Sequence, residues 1–265
     1  MTKPGQRITG KGGGIGSNQY ARRGVSKAGV KRAASSIHGV ESAGSPNPQF
    51  VAATSQAVKS IPPHIAAVLK SKGVKTIAAK DASDVLSAHY DMNDKPRGYW
   101  SGSLHEVGAA YIPHTKQAFV AEHEGPSTAR TKTRDPAGVM RHEIGHAVDD
   151  NFLDHRISQR DDFRTAYRAD LLAIMHGSGS KFEADGYSLN GEAGKMSYFI
   201  QPARNAVSGR FHASDAGYSE AFAEGFASLH GGGAMSAQEF SISFPNTVKK
   251  IKELTAEQKP RRGKR

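Results

Sequence analysis

The stretch Arg141-His142-Glu143-Ile144-Gly145-His146-Ala147-Val148-Asp149-Asp150 decides how this chain is read. It contains His-Glu-x-x-His. On a helix, residues four apart lie on one face, so His142 and His146 can point two imidazoles at a single metal ion. Glu143 sits beside the first of them and can reach a water at that ion without being a ligand itself. This is a zinc-hydrolase spacing, and it requires two pieces of context: a helix around it and a third ligand downstream.

The first is present. Asp135-Pro136 reads as an N-cap followed by proline at the first helical position. A helix is expected from there to about Leu153, with Val139, Met140, Ala147 and Val148 apolar and Gly145 allowing close approach of another element. Three places offer a third ligand. The extended pattern with a third histidine needs Gly at 149 and His at 152, but those positions hold Asp149 and Phe152. His155 is at the wrong spacing for that pattern. The third is the stretch Tyr218 to His230, a helix stopped by Gly231-Gly232-Gly233. On it Glu220 and Glu224 share a face one turn apart, while Phe222, Phe226 and Leu229 pack on the other side. Glu220 would complete the metal site, and Glu224 would accept a hydrogen bond from the free ring nitrogen of a ligating histidine.

Composition bounds what else the chain can be. Its 265 residues suit one large domain or two small ones. Cysteine is absent, which excludes disulfides, zinc ribbons and thiol nucleophiles and leaves histidine and carboxylates to hold any metal. No apolar run approaches the ~18 residues of a membrane span. Met1 to Tyr20 has basic residues but no apolar segment, so no secretory signal is expected.

The net charge of +11 sits in the termini. Residues 1–46 carry a net +7 and residues 248–265 a net +6, which leaves the middle slightly acidic at −2. The expected organisation is a disordered basic leader (1–46), a folded domain (47–247), and a C-terminal helix end with a basic tail (248–265). The leader contains Gly5-x-x-x-x-Gly10-Lys11, but Gly12 stands where a P-loop has Ser or Thr, and no strand precedes it. Basic tails of this kind can hold nucleic acid by counterion release.

Within the domain, Asn47-Pro48 starts a helix that Pro62-Pro63 stops, and a second short helix ends at Gly73. Val74 to Ala78 is a strand candidate, and a short helix follows at Ser83-Asp84. Gly98-Tyr99-Trp100, Val107 to Ile112 and Gln117 to Glu122 read as strands, the last two joined as a hairpin through Pro113 to Lys116. An edge strand beside a metal can pair with an extended peptide. Phe163, Tyr167, Leu171, Leu172 and Met175 mark a helix over 160–176. Residues 177–217 form a long irregular insertion, and a closing helix follows Pro245.

His142-Glu143-Ile144-Gly145-His146-Ala147-Val148-Asp149-Asp150, followed by Glu220-Ala221-Phe222-Ala223-Glu224-Gly225-Phe226, resembles the catalytic domain of the anthrax lethal factor. The same domain occurs in related bacterial peptidases, including the Pro-Pro endopeptidases. The resemblance implies an α+β, zincin-like metallopeptidase domain with a small mixed sheet packed on helices. It implies a zinc endopeptidase with His142, His146 and Glu220 as ligands to Zn2+ and Glu143 as catalytic base. It further implies an oxyanion-stabilising tyrosine seven residues before the third ligand. That position is Ala213 here, which leaves Tyr218 and His212 as candidates. The expected partner is a protein or peptide substrate, and the expected state a monomer that is cytoplasmic, injected into a host as an effector or toxin, or carried in a virion. The alternative is a nucleic-acid-associated protein whose tails tether a protease to DNA or a virion.

Overall fold

The computed structural model describes residues 39–96, 102–178, 197–204, 211–233, 235 and 237–256. The basic stretches 1–38 and 257–265, the strand expected at Gly98-Tyr99-Trp100, and much of the 177–217 insertion lie outside them.

The elements run β1 (Glu41–Ala43), α1 (Pro48–Lys59), α2 (Pro63–Ser71), β2 (Lys75–Ala79), α3 (Ser83–Leu86), β3 (Ala109–Ile112) and β4 (Gln117–Ala121). A short ribbon, β5 (His123–Glu124) with β6 (Thr131–Lys132), leads to α4 (Pro136–Asn151) and α5 (Asp161–Ser178). Then come α6 (Ser197–Ile200), β7 (Pro202–Arg204), β8 (Phe211–Ala213), α7 (Asp215–Leu229), α8 (Ala237–Ser243) and α9 (Pro245–Leu254). The chain is a mixed α+β structure. Among the described residues, no helix is long and apolar enough to cross a membrane.

The main sheet has four strands in the order β1-β2-β4-β3. β1 and β2 are parallel, β2 and β4 are parallel, and β3 runs antiparallel to β4 with Ala110 opposite Phe119. Glu41 to Ala43, inside the 1–46 stretch expected as a leader, pair with Ile77 to Ala79. Three short residues at a sheet edge carry too little apolar periodicity to read as a strand.

The sheet is buried on both faces, which explains its nearly unbroken apolar runs. Ala78, Ala109, Tyr111, Ala118 and Val120 face a core shared with α1, α4 and α7. Their alternating neighbours Ile77, Ala79, Ala110, Ile112, Phe119 and Ala121 face a smaller cluster with Val85, Leu86, Leu104 and Val107. The period-two pattern of a strand sorts each sequence neighbour to the opposite core. β3 is fixed to α4 by polar bonds as well. Tyr111 OH donates to Asp150 Oδ2 at 3.2 Å, and Asn151 Nδ2 donates to Tyr111 OH at 2.7 Å.

On the helical side, α4 and α7 cross in direct backbone contact. A Cβ built at Gly145 would lie 2.7 Å from both Cα and O of Ala223. Both helices start at side-chain caps: Asp135 Oδ1 accepts from Gly138 N at 2.8 Å, and Ser214 Oγ from Gly217 N at 3.1 Å. The closing helix α9 is held to α5 by one carboxylate. Asp170, buried on α5, accepts from Asn246 N, Thr247 N, Thr247 Oγ1 and Asn246 Nδ2 at the start of α9. On α5 itself, Leu172 is 56% exposed although its spacing suggested an inward face.

Two predictions follow from this packing. Replacing a helical glycine by alanine elsewhere would gain about 1 kcal/mol of helix propensity. At position 145 the obstacle is backbone, which cannot move aside, and overpacking costs about 1–3 kcal/mol or more. Gly145→Ala is therefore expected to lower the denaturation midpoint and to weaken metal binding, as read by thermal melts and chelator competition. The second concerns His230 at the C-terminal end of α7. Burial, with Arg141 and His64 adding to it, pushes its pKa down from 6.5 to about 4. Between those values the unfolded chain binds a proton that the folded chain does not. Stability supplied by the neutral ring should fall as pH drops from 6.5 toward 4, and His230→Gln should flatten that part of the melting-temperature profile.

Candidate metal centre

The α4–α7 crossing brings two separate stretches of sequence onto one point. His142 and His146 point from α4, and Glu220 from α7. Their ligand atoms, one from each residue, all lie within 4.8 Å of one another. His142 Nε2 is 3.1 Å from Glu220 Oε2, and His146 Nε2 is 3.4 Å from the same oxygen. The two imidazole centroids are 4.9 Å apart. One carboxylate oxygen thus faces two ring nitrogens, and a cation between them would satisfy all three.

The surroundings hold this arrangement in place. His142 Nδ1 donates to Glu224 Oε2 at 2.7 Å, so Glu224 orients the ring from behind. Glu224 Oε1 also accepts from the Met235 backbone N–H at 2.6 Å. The glycines after α7 do more than stop the helix. A Cβ at Gly233 would sit 2.5 Å from Glu224 Oε2, so only glycine leaves that carboxylate its space. Glu220 accepts from Tyr198 OH at 2.7 Å.

Charge is distributed accordingly. Burial disfavours a charged His142, but the hydrogen bonds to Glu220 and Glu224 outweigh it and raise its pKa well above the ordinary value. Burial pushes the Glu220 carboxyl up, but His146 and His142 outweigh it and hold it well below the usual carboxylate range. A metal ion would take the place of the Nε2 proton and be favoured by the same carboxylate.

The residues fit such an ion. His146 Nε2 is buried with no hydrogen-bond partner of good geometry. Two imidazoles and a carboxylate form a donor set suited to zinc, three protein ligands being the number found in catalytic zinc sites. Glu143 is fully buried, and neither of its oxygens has a hydrogen bond of normal geometry. Burial raises its carboxyl above the usual range, against the pull of His146, His142 and the Tyr111 backbone N–H, with Glu220 pushing the same way as burial. A buried carboxyl without well-formed hydrogen bonds costs about 1–3 kcal/mol or more.

No protein-family profile matches the chain, and no curated protein matches it. Among solved structures it is similar to the Pro-Pro endopeptidase PPEP-2 from Paenibacillus alvei. That similarity covers 80% of this chain and 94% of the other, at 22% identity and a TM-score of 0.48. A likeness that distant carries no chemistry across. The chemistry stands on the side chains of this chain.

Of the two candidates for stabilising an oxyanion, only the Tyr218 side chain is among the described residues. Tyr218 is two residues before Glu220, about 200° around the helix, and so lies on another face. Its hydroxyl accepts from Arg168 Nε at 2.8 Å, and its ring lies under the Arg164 guanidinium at 4.6 Å. It faces α5 and its packing, with Tyr167 edge-on at 5.0 Å. The backbone of His212 lies in β8, but its side chain is outside the described residues. Tyr198 on α6 is the phenol that touches a ligand. It stands in a short apolar piece of the insertion, and nothing in that piece singles it out.

Glu224 generates the sharpest test of the centre. In Glu224→Gln an amide NH2 replaces one oxygen and faces an N–H donor. Zinc affinity is expected to drop about 10–100-fold, with a lower melting temperature. Competition against a chromophoric chelator and calorimetry check both.

Proposed function

We propose that the chain is a zinc-dependent endopeptidase. The observation that carries this reading is Glu143, a buried carboxyl without a hydrogen bond of normal geometry, beside three convergent side chains that could hold a metal ion.

His142, His146 and Glu220 would hold the ion. Zinc there would lower the pKa of water toward ~7 and polarise a substrate carbonyl. Glu143 takes the proton from the attacking water on a carboxylate oxygen and delivers it to the leaving amine. Its burial makes that carboxylate a stronger base than an exposed one. The Tyr198 hydroxyl, already at Glu220, supplies a donor at the edge of the cluster where charge on a tetrahedral oxygen would need one. β3, at the end of the sheet and packed beside α4, gives an extended peptide a strand to pair with. The substrate class is accordingly a protein or peptide segment bound in extended form.

The test is Glu143→Gln. The variant should bind zinc as the wild type does and lose about 10²–10⁴-fold or more in kcat/KM on a peptide library. Chelator should abolish the wild-type activity and zinc restore it. Wild-type turnover by the variant, or turnover indifferent to chelator, would overturn the reading.

A further inference from the structure

The two histidines are held from behind by different means. His142 Nδ1 meets Glu224 directly. His146 Nδ1 lies 3.2 Å from the hydroxyl of Ser219, and that hydroxyl donates to Asp149 Oδ2 at 3.3 Å. Asp149 is buried and takes two further hydrogen bonds, from Ser158 N to Oδ1 at 2.6 Å and from Ser158 Oγ to Oδ2 at 2.7 Å. The scheme for peptide hydrolysis uses neither Ser219 nor Asp149.

The direction of this chain of bonds follows from counting protons. A serine hydroxyl has one proton to give. All three groups around Asp149 are donors, so its oxygens act as acceptors, and the Ser219 proton goes to Oδ2. The Ser219 oxygen can then only accept from His146. A histidine binds a metal as the neutral ring, which carries one N–H; with the Ser219 oxygen accepting, that proton is on Nδ1 and Nε2 is a bare lone pair. That nitrogen is the buried one without a hydrogen-bond partner, and it faces Glu220 Oε2 at 3.4 Å. A lone pair facing a carboxylate is repulsive unless a cation lies between them.

We propose that Ser219 and Asp149 are positioning residues for the metal centre: the Asp149 carboxylate, acting through the Ser219 hydroxyl, fixes His146 as the Nδ1–H tautomer with its Nε2 lone pair aimed at the ion. The inference rests on the metallopeptidase reading for its purpose, and the tautomer can be read without metal wherever the ring is neutral. Local geometry makes the device compact. Ser219 precedes the ligand Glu220 on α7, and Asp149 follows His146 by about one turn on α4. The same helix crossing that assembles the ligands therefore assembles their support.

Substituting Asp149 by asparagine should do more than remove a charge. The Ser158 N–H still needs an acceptor, so the amide oxygen takes the Oδ1 position and the NH2 takes the Oδ2 position. That NH2 donates to Ser219, whose hydroxyl must then donate to His146 Nδ1. The relay runs backwards, and the proton on the ring moves to Nε2, the nitrogen that should hold the metal. Ser219→Ala merely cuts the relay. Ser219→Thr keeps the hydroxyl.

The experiment uses the full chain and two measurements. The first is long-range 1H–15N correlation spectra of the metal-free protein at alkaline pH, where the ring is neutral, with the His146 resonances identified by loss in His146→Gln. The second is zinc affinity by chelator competition, with melting temperature as a check on folding. The expected result is Nδ1–H at His146 in wild type and Ser219→Thr, a mixture in Ser219→Ala, and Nε2–H in Asp149→Asn. Zinc affinity should fall about 10–100-fold in Ser219→Ala and Asp149→Asn and be largely restored in Ser219→Thr. If the tautomer and the affinity are unchanged in a folded Ser219→Ala, the relay is overturned. If wild type binds no zinc, the metallopeptidase reading falls. The relay is then decided by the spectra alone, upheld by a tautomer change in the variants and overturned by its absence. Should Asp149→Asn not fold, the serine pair decides the matter.

Discussion

The site depends on a close approach of two backbones. α4 and α7 cross where Gly145 meets Ala223, and there is no room for even one methyl group between them. Helices packed through ordinary side chains sit 8–10 Å apart. A crossing without a side chain is tighter, and it lets a short carboxylate on α7 reach imidazoles on α4. His142, His146 and Glu220 meet because of that contact, and the neighbours on the two helices follow automatically. Glu224 comes round one turn later to meet His142, and Ser219 one residue earlier to meet His146.

Much of this was legible in the sequence because helix periodicity is a strong code. His142 and His146 four apart, and Glu220 and Glu224 four apart, define faces without any tertiary knowledge. The caps at Asp135 and Asn47 and the glycine stop after His230 mark ends through local chemistry alone. The hairpin of β3 and β4 was legible as two short apolar runs flanking a turn. What could not be read depended on contacts between distant residues. Asp170 caps a helix that begins 75 residues later in the chain, at Pro245, and no local pattern announces it. Tyr198 gains its meaning only from Glu220, to which no spacing rule links it. Tyr218 was attractive because it stood near Glu220 in sequence, but two residues along a helix is the wrong face. Asp149 stood in the most informative stretch of the chain and was read only as the absence of a glycine.

The polar interior is unusually consequential for a domain of this kind. Glu143, Asp149, Glu220 and Glu224 are all buried. Buried charge is costly unless it is paired, and here the pairing is uneven. Glu220, Glu224 and Asp149 each have several donors around them, while Glu143 has none of normal geometry. Three carboxylates thus hold structure in place around a fourth that is left with its lone pairs available. The helix crossing brings Glu220 and Glu224 to His142 and Ser219 to Asp149.

The distance along the chain between the ligands has a consequence for biosynthesis. His142 and Glu220 are 78 residues apart, and the crossing that joins them needs α4 and α7 both folded and docked. A ribosome-bound chain that ends before α7 has the two imidazoles but not Glu220, so the cluster that could hold a metal is incomplete. The insertion and α5 lie between them and lengthen that interval. On the proposed reading, proteolytic capacity would arrive late in translation, once α7 has been made and docked, which would spare a nascent chain from attacking itself or its neighbours.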